Sequence, residues 1–172
     1  MKDLIYNQQT CREIPYGLRS SAQVGCGWIA TWNALKILGY TTDREALVRY
    51  FTWMLPVIHG NLGTAFWGPE RCFRQWGFET KLVFDRKKFD KALDCADAAI
   101  VFYHWAGKKG LGAHFVALEK TDNGIRGYNT YRDSGGPDDW GRSLEAFLRK
   151  RGYFGCVLLE IRKKGGENIE IG

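Results

Sequence analysis

Between Cys26 and Leu38 the apolar side chains Trp28, Ile29, Ala30, Trp32, Ala34, Leu35, Ile37 and Leu38 fall around almost the whole circumference of a 3.6-residue helix. That pattern predicts a helix buried on most sides, ended by Gly39 in the left-handed cap position. A second helix is expected from the capping box Thr42-Asp43-Arg44-Glu45 to about Met54, where Pro56 stops it, and a third between Thr64 and Trp76, closed by Gly77. After Gly77 the period changes. Phe78 to Phe84 reads as a strand, Asp85 caps a short basic helix reaching about Leu93, and Ala98 to Tyr103 is a continuous apolar strand. Ala113 to Glu119 and Ile125 to Tyr131 flank Thr121-Asp122-Asn123-Gly124, a strong hairpin signal. A polar loop from Arg132 to Arg142, a short helix capped by Ser143 and a last strand from about Phe154 to Ile161 complete the chain, leaving a loose tail over 163–172. Helices precede an antiparallel sheet, which defines an α+β class, and 172 residues fit one domain with its core over about 20–161.

Composition narrows the function classes. The net charge of +6 would suit a polyanionic partner if the basic residues formed a stripe, but they lie in short scattered groups such as Arg86-Lys87-Lys88 and Arg149-Lys150-Arg151. A solvated surface is expected, and no nucleic-acid partner. No apolar run is long enough to span a bilayer and the first ten residues have no apolar signal core, so no membrane partner is expected. The five cysteines, at 11, 26, 72, 95 and 156, form neither a C-x-x-C pair nor a dense framework. This favours a reducing, cytoplasmic setting, or a secreted one if a signal peptide has been removed, and predicts no zinc site; thiol chemistry at Cys26 needs no other metal and no cofactor.

The candidate chemistry centres on Cys26 in Gln23-Val24-Gly25-Cys26-Gly27-Trp28. A thiol attacks as its thiolate, and a helix amino terminus favours that anion. Gly25 and Gly27 remove bulk on both sides, as close approach of a substrate carbonyl would require. A cysteine nucleophile needs an imidazole and a third group to orient it. His114 follows the Gly-rich loop Gly107-Lys108-Lys109-Gly110-Leu111-Gly112 and opens the strand Ala113 to Leu118. If Asp122-Asn123 is the two-residue turn, His114 lies opposite Tyr131, with Asn129 a diagonal neighbour on the same face. The Asn129 amide carbonyl would then accept the ring N–H. A turn at Asn123-Gly124 moves the partner to Asp133 and keeps the face. His104 ranks as a rival base, and His59 reads as a loop residue. Cys72, Cys95 and Cys156 read as core and Cys11 as inert; Trp28 and Trp67 are candidate groove walls. The acidic loop Asp133 to Asp139 reads as a solvated turn.

A Cys heading a buried helix, then a strand His, then an Asn fifteen positions later resembles the papain-like cysteine peptidases. Gly25-Cys26-Gly27 followed by Asn33-Ala34-Leu35-Lys36-Ile37-Leu38-Gly39, with the run from Gly63-Thr64 to Gly77-Phe78, is most similar to the bacterial branch whose relatives trim double-glycine leaders. The resemblance implies the papain-like fold, with N-terminal helices carrying the nucleophile and a C-terminal antiparallel sheet. It implies Cys26 as nucleophile, His114 as base and later acid, and Asn129 as orienting group. It also implies a Gln ahead of the Cys as oxyanion donor. Gln23 is the nearest Gln, although it stands closer to the Cys than in the family; otherwise backbone N–H groups at Cys26 act with another donor. The implied activity is thiol-dependent cleavage of a peptide or amide bond through an acyl-enzyme. Acyl transfer, or a catalytically silent groove that binds a peptide or protein, are the alternatives. The oligomeric state is not legible.

Overall fold

The computed structural model describes residues 3–54, 63–107 and 110–164. Helix α2 (Cys26–Leu38) follows the single turn α1 (Ser21–Val24), and Gly39 ends it with a left-handed φ of 87°. Helix α3 (Arg44–Met54) starts where the Asp43 carboxylate accepts from the Glu45 N–H. The next helix is shorter than expected: α4 runs Gly68–Gln75, because Pro69 sets its first turn and Thr64 to Trp67 stay non-helical. Asp85 caps a 3₁₀ turn that leads into α5 (Phe89–Asp94), and Ser143 caps α6 (Leu144–Lys150), both as expected.

Beside a two-stranded ribbon, β1 (Pro15–Tyr16) with β2 (Arg19–Ser20), the strands form one antiparallel sheet in the order β3-β8-β4-β5-β6-β7. These are β3 (Glu79–Val83), β4 (Ala98–Gly107), β5 (Gly110–Thr121), β6 (Gly124–Tyr128), β7 (Asp138–Asp139) and β8 (Phe154–Arg162). Period-2 alternation sorts the strand residues onto two faces. Ile100, Phe115, Ala117 and Leu159 pack under Ala30, Ala34 and Leu35 of α2 and Phe73 of α4. Val101, Val116, Leu118 and Leu158 pack under Phe89 and Leu93 of α5 and Leu144 and Leu148 of α6. A third cluster, including Ile5, Tyr16, Trp28, Ile29 and Phe51, fills the space between α2, α3 and the amino-terminal segment.

The hairpin turn is at Asp122-Asn123, with Thr121 paired to Gly124. Pairing runs back only to Ala117 opposite Tyr128. Asn129 then turns away with φ 66°, the one non-glycine residue in the left-handed region among those described. His114 and Tyr131 therefore never pair, and the edge of β5 at Ala113 to Val116 is left free of β6. His114 does not open its strand either: β5 starts at Gly110, with Gly107 opposite Gly110 and Tyr103 opposite His114. His59 and the last eight residues of the tail lie outside the described residues.

Candidate active site

Cys26 is the first residue of α2, and the chain folds tightly around it. Gly25 donates its N–H to Ser21 O and accepts from Ile29 N–H, so α1 runs into α2 almost without a break. A Cβ at Gly25 would lie 2.6 Å from Trp28 Nε1 and 2.7 Å from Ser21 O; one at Gly27 would lie 2.3 Å from Thr64 Oγ1. These glycines make room for protein atoms, not for the approach of a substrate carbonyl. Trp28 is wholly buried and donates to Ser21 Oγ, so it belongs to the core rather than to a groove wall. Thr64 in turn shares a 2.6 Å hydrogen bond with the buried Tyr16 hydroxyl.

The Cys26 thiol is partly buried and borders a cleft of about 340 Å3. Burial pushes its pKa up to about 11, against the pull of backbone hydrogen bonds from Phe115, Cys26 and Gly27. The helix start does favour the anion, but desolvation outweighs it. Burial likewise lowers the pKa of His114, against a hydrogen bond to the backbone of Asn129. Burial thus disfavours the charged form of both groups.

The same cleft is lined by Gln8, Gln23, Tyr103, His114, Asn129 and Thr130, among others. His114 is held in a way the hairpin parity did not foresee. Its Nε2 lies 2.7 Å from the backbone carbonyl oxygen of Asn129, not from the side-chain amide. A carbonyl only accepts, so Nε2 carries the proton and Nδ1 keeps its lone pair. The Asn129 amide is engaged elsewhere: Oδ1 accepts from the Gln8 N–H at 2.7 Å, and Nδ2 donates to Gln8 Oε1 at 3.2 Å. Asn129 thus links His114, through its main chain, to Gln8, through its side chain. The following residues are fixed as well. Trp140 Nε1 donates to Thr130 Oγ1, and Ser134 Oγ accepts from the Tyr131 N–H while donating to Asp138. The acidic loop is therefore part of the wall that holds the cleft, and Asp133 is an exposed residue that does not line it.

Gln8 is the residue that sequence spacing missed. Asn33, wholly buried on α2, accepts from Ile5 N–H and donates to Ile5 O, pinning the amino-terminal strand of chain to the helix. Three residues later the 3₁₀ turn Gln8–Cys11, capped by Asn7, delivers Gln8 to the cleft. Its Nε2 donates to Ala22 O at 2.9 Å, which leaves the second amide hydrogen for another acceptor. The buried Asn33 was the available signal, since a polar side chain among the apolar positions of a buried helix implies a hydrogen-bond partner. Gln23 also borders the cleft, but it is exposed, and its Oε1 accepts from Ser20 N–H in the capping box of α1.

The other candidates are sorted by the same packing. His104 lies against Phe102, Phe154 and Gly155 and does not border the cleft. Cys11, Cys72 and Cys156 are buried. Cys95 is exposed, contrary to its reading as core, because it follows the end of α5 on the solvent side. Trp67 is half-exposed and packs on Phe66, away from the cleft. Among the described residues no group of three or more His, Cys, Asp or Glu side chains could hold a metal ion, and no helix is long and apolar enough to cross a membrane.

A buried helix headed by Cys26 and laid across an antiparallel sheet is the papain-like α+β fold. The solved structure that carries the comparison is the peptidase domain of Streptococcus ComA, a bi-functional ABC transporter involved in a quorum sensing pathway. It matches with a TM-score of 0.58 at 14% identity, over 95% of this chain and 100% of that one. No family model and no curated protein matches the sequence.

Proposed function

We propose that this protein is a cysteine peptidase or amidase acting through an acyl-enzyme on Cys26. The observation that carries the reading is the shared cleft: a thiol at a helix start and a buried histidine, its Nε2 tethered to a carbonyl, border the same cavity. Because Nε2 holds the proton, the free Nδ1 is the base that takes the thiol proton as the sulfur attacks a carbonyl. The backbone N–H groups of Cys26 and Gly27 and the second amide hydrogen of Gln8 stabilise the oxyanion, with Gln8 in the role first assigned to Gln23. His114 then protonates the leaving nitrogen, and water releases the acyl group. A neutral resting pair makes proton transfer part of the attack. Asn129 acts as a positioning residue, through its main-chain oxygen toward His114 and its amide toward Gln8. A reducing compartment such as the cytoplasm suits the free thiol.

Incubation with a complex peptide mixture, followed by mass spectrometry of the new termini, tests the proposal. Cleavage by the native protein that disappears in both Cys26→Ala and His114→Ala is the expected result. Undiminished cleavage in either variant, or failure of a peptidyl electrophile to label Cys26, overturns it. The second reading, a silent peptide-binding groove, draws on the burial that pushes the thiol up to about 11. It predicts peptide binding with no new termini.

A further inference from the structure

Beyond His114 the cleft changes character. Tyr103 is the cross-strand partner of His114, and Trp105 that of Gly112. These pairs sit on one face of the sheet, the face opposite Phe115, which packs under α2 with Cys26 at its margin. The Tyr103 ring is 6.2 Å from the His114 ring at 75°, and Tyr153 stacks on Tyr103 at 4.2 Å and 6°. Trp105 lies 6.3 Å from Tyr103, and its indole covers Gly112, where a Cβ would come within 2.2 Å of the ring. All three aromatic residues line the cleft, yet Trp105 keeps 37% of its surface exposed. A glycine under the indole keeps this wall flat. The rest of the lining is mostly polar, with Gln8, Gln23, Asn129, Thr130 and Arg132.

This aromatic wall beside His114 has a chemical meaning if the proposed function holds, on which the inference rests. The group that His114 protonates is the leaving nitrogen, so the leaving portion of the substrate must lie on the histidine side of the sulfur. The geometry points to an aromatic leaving-group subsite: Tyr103, Trp105 and Tyr153 select substrates whose residue immediately after the scissile bond carries a flat aromatic side chain. Offset and edge-to-face ring contacts supply the preference, and the burial of Tyr103 makes the wall rigid before binding. Tyr103 forms the floor, whereas Trp105 and Tyr153 present the faces that a ligand touches.

The test reads the subsite without turnover and then with it. Alkylation of Cys26 by iodoacetamide is followed by mass spectrometry in the presence of L-phenylalaninamide or glycinamide. Phenylalaninamide should slow alkylation at least fivefold at a concentration where glycinamide has no effect, and Trp105→Ala should abolish that protection while Trp105→Phe retains most of it. The termini released from a peptide mixture should be enriched at least fivefold in Phe, Tyr and Trp at the first new position. Equal protection by the two amides, or none, overturns the subsite. So does cleavage without aromatic enrichment, and that result leaves the peptidase reading standing. A Cys26 protected by phenylalaninamide in a protein that releases no termini sinks the peptidase reading and leaves the subsite.

Discussion

The two halves of the candidate site are built by different means. Cys26 is positioned by side-chain packing: Gly25 accommodates Trp28 and Ser21, Gly27 accommodates Thr64, and Tyr16 locks Thr64 in turn. His114 is positioned by a main-chain oxygen, presented because Asn129 adopts a left-handed φ of 66° where β6 leaves the sheet. The first kind of support depends on residue size and shows in the sequence. The second depends on backbone conformation, which any residue tolerating a positive φ can supply. A substitution that changes side-chain chemistry should therefore hurt the two halves unequally.

The largest expected contrast lies at Asn129 itself. Asn129→Gly keeps the left-handed backbone and its carbonyl, loses only the links to Gln8, and should retain peptidase activity within about tenfold of the native protein. Asn129→Val, disfavoured at positive φ, should move the carbonyl and lower kcat/KM about a thousandfold, the scale of a misplaced general base. Equal activities in the two variants would return the orienting role to the side-chain amide. Next in size, Gln8→Ala should lower kcat about a hundredfold, as loss of an oxyanion donor does, while Gln23→Ala stays within about threefold. The reverse order would restore Gln23. On the cysteine side, Gly27→Ala should cost about 2 kcal/mol of stability in urea titration, because its Cβ is driven into Thr64. Measured in a Thr64→Gly background, the same Gly27→Ala change should cost much less; an equal cost there would show that the close approach to Thr64 is not what requires the glycine.

How much of this was legible follows the same division. The buried helix Cys26–Leu38, its Gly39 cap, the turn at Asp122-Asn123 and the α+β order depend on periodicity and turn chemistry, and these are local properties. The hairpin left two registers open, and the observed one, with its turn at Asp122-Asn123, placed Asn129 near His114. What failed was the assumption that pairing continues beyond Tyr128 opposite Ala117, since nothing in the residue types announces that β6 ends there. The shorter α4 has a plain cause in Pro69, which sets a helix start at Gly68, four residues beyond Thr64. Gln8 was hidden by distance along the chain: Asn33 brings it in through two bonds to the Ile5 backbone, a link between residues 28 positions apart. The glycines beside Cys26 were noticed for the wrong reason, since a glycine needed by a substrate and one needed by Thr64 look alike in a sequence.

The smallest effect expected is also the one that joins the two halves, because burial acts on both groups in opposite directions. His114 has its pKa lowered from 6.5, so the unfolded chain binds its proton more readily, and stability should fall as pH drops below 6.5. Cys26 is pushed from 9.0 up to about 11, so the unfolded chain loses that proton first, and stability should fall as pH rises through the interval from 9.0 to about 11. Neutral thiol and neutral imidazole thus contribute fully only between those limits. Cys72 and Tyr16 are raised by burial as well and steepen the alkaline limb, so the pH dependence of the urea midpoint needs two variants to be read. His114→Gln should flatten the acid limb alone and Cys26→Ala should make only the alkaline limb shallower. If His114→Gln left the acid limb unchanged, the imidazole would not be held neutral by burial, and an ion pair with Cys26 would have to replace proton transfer during attack.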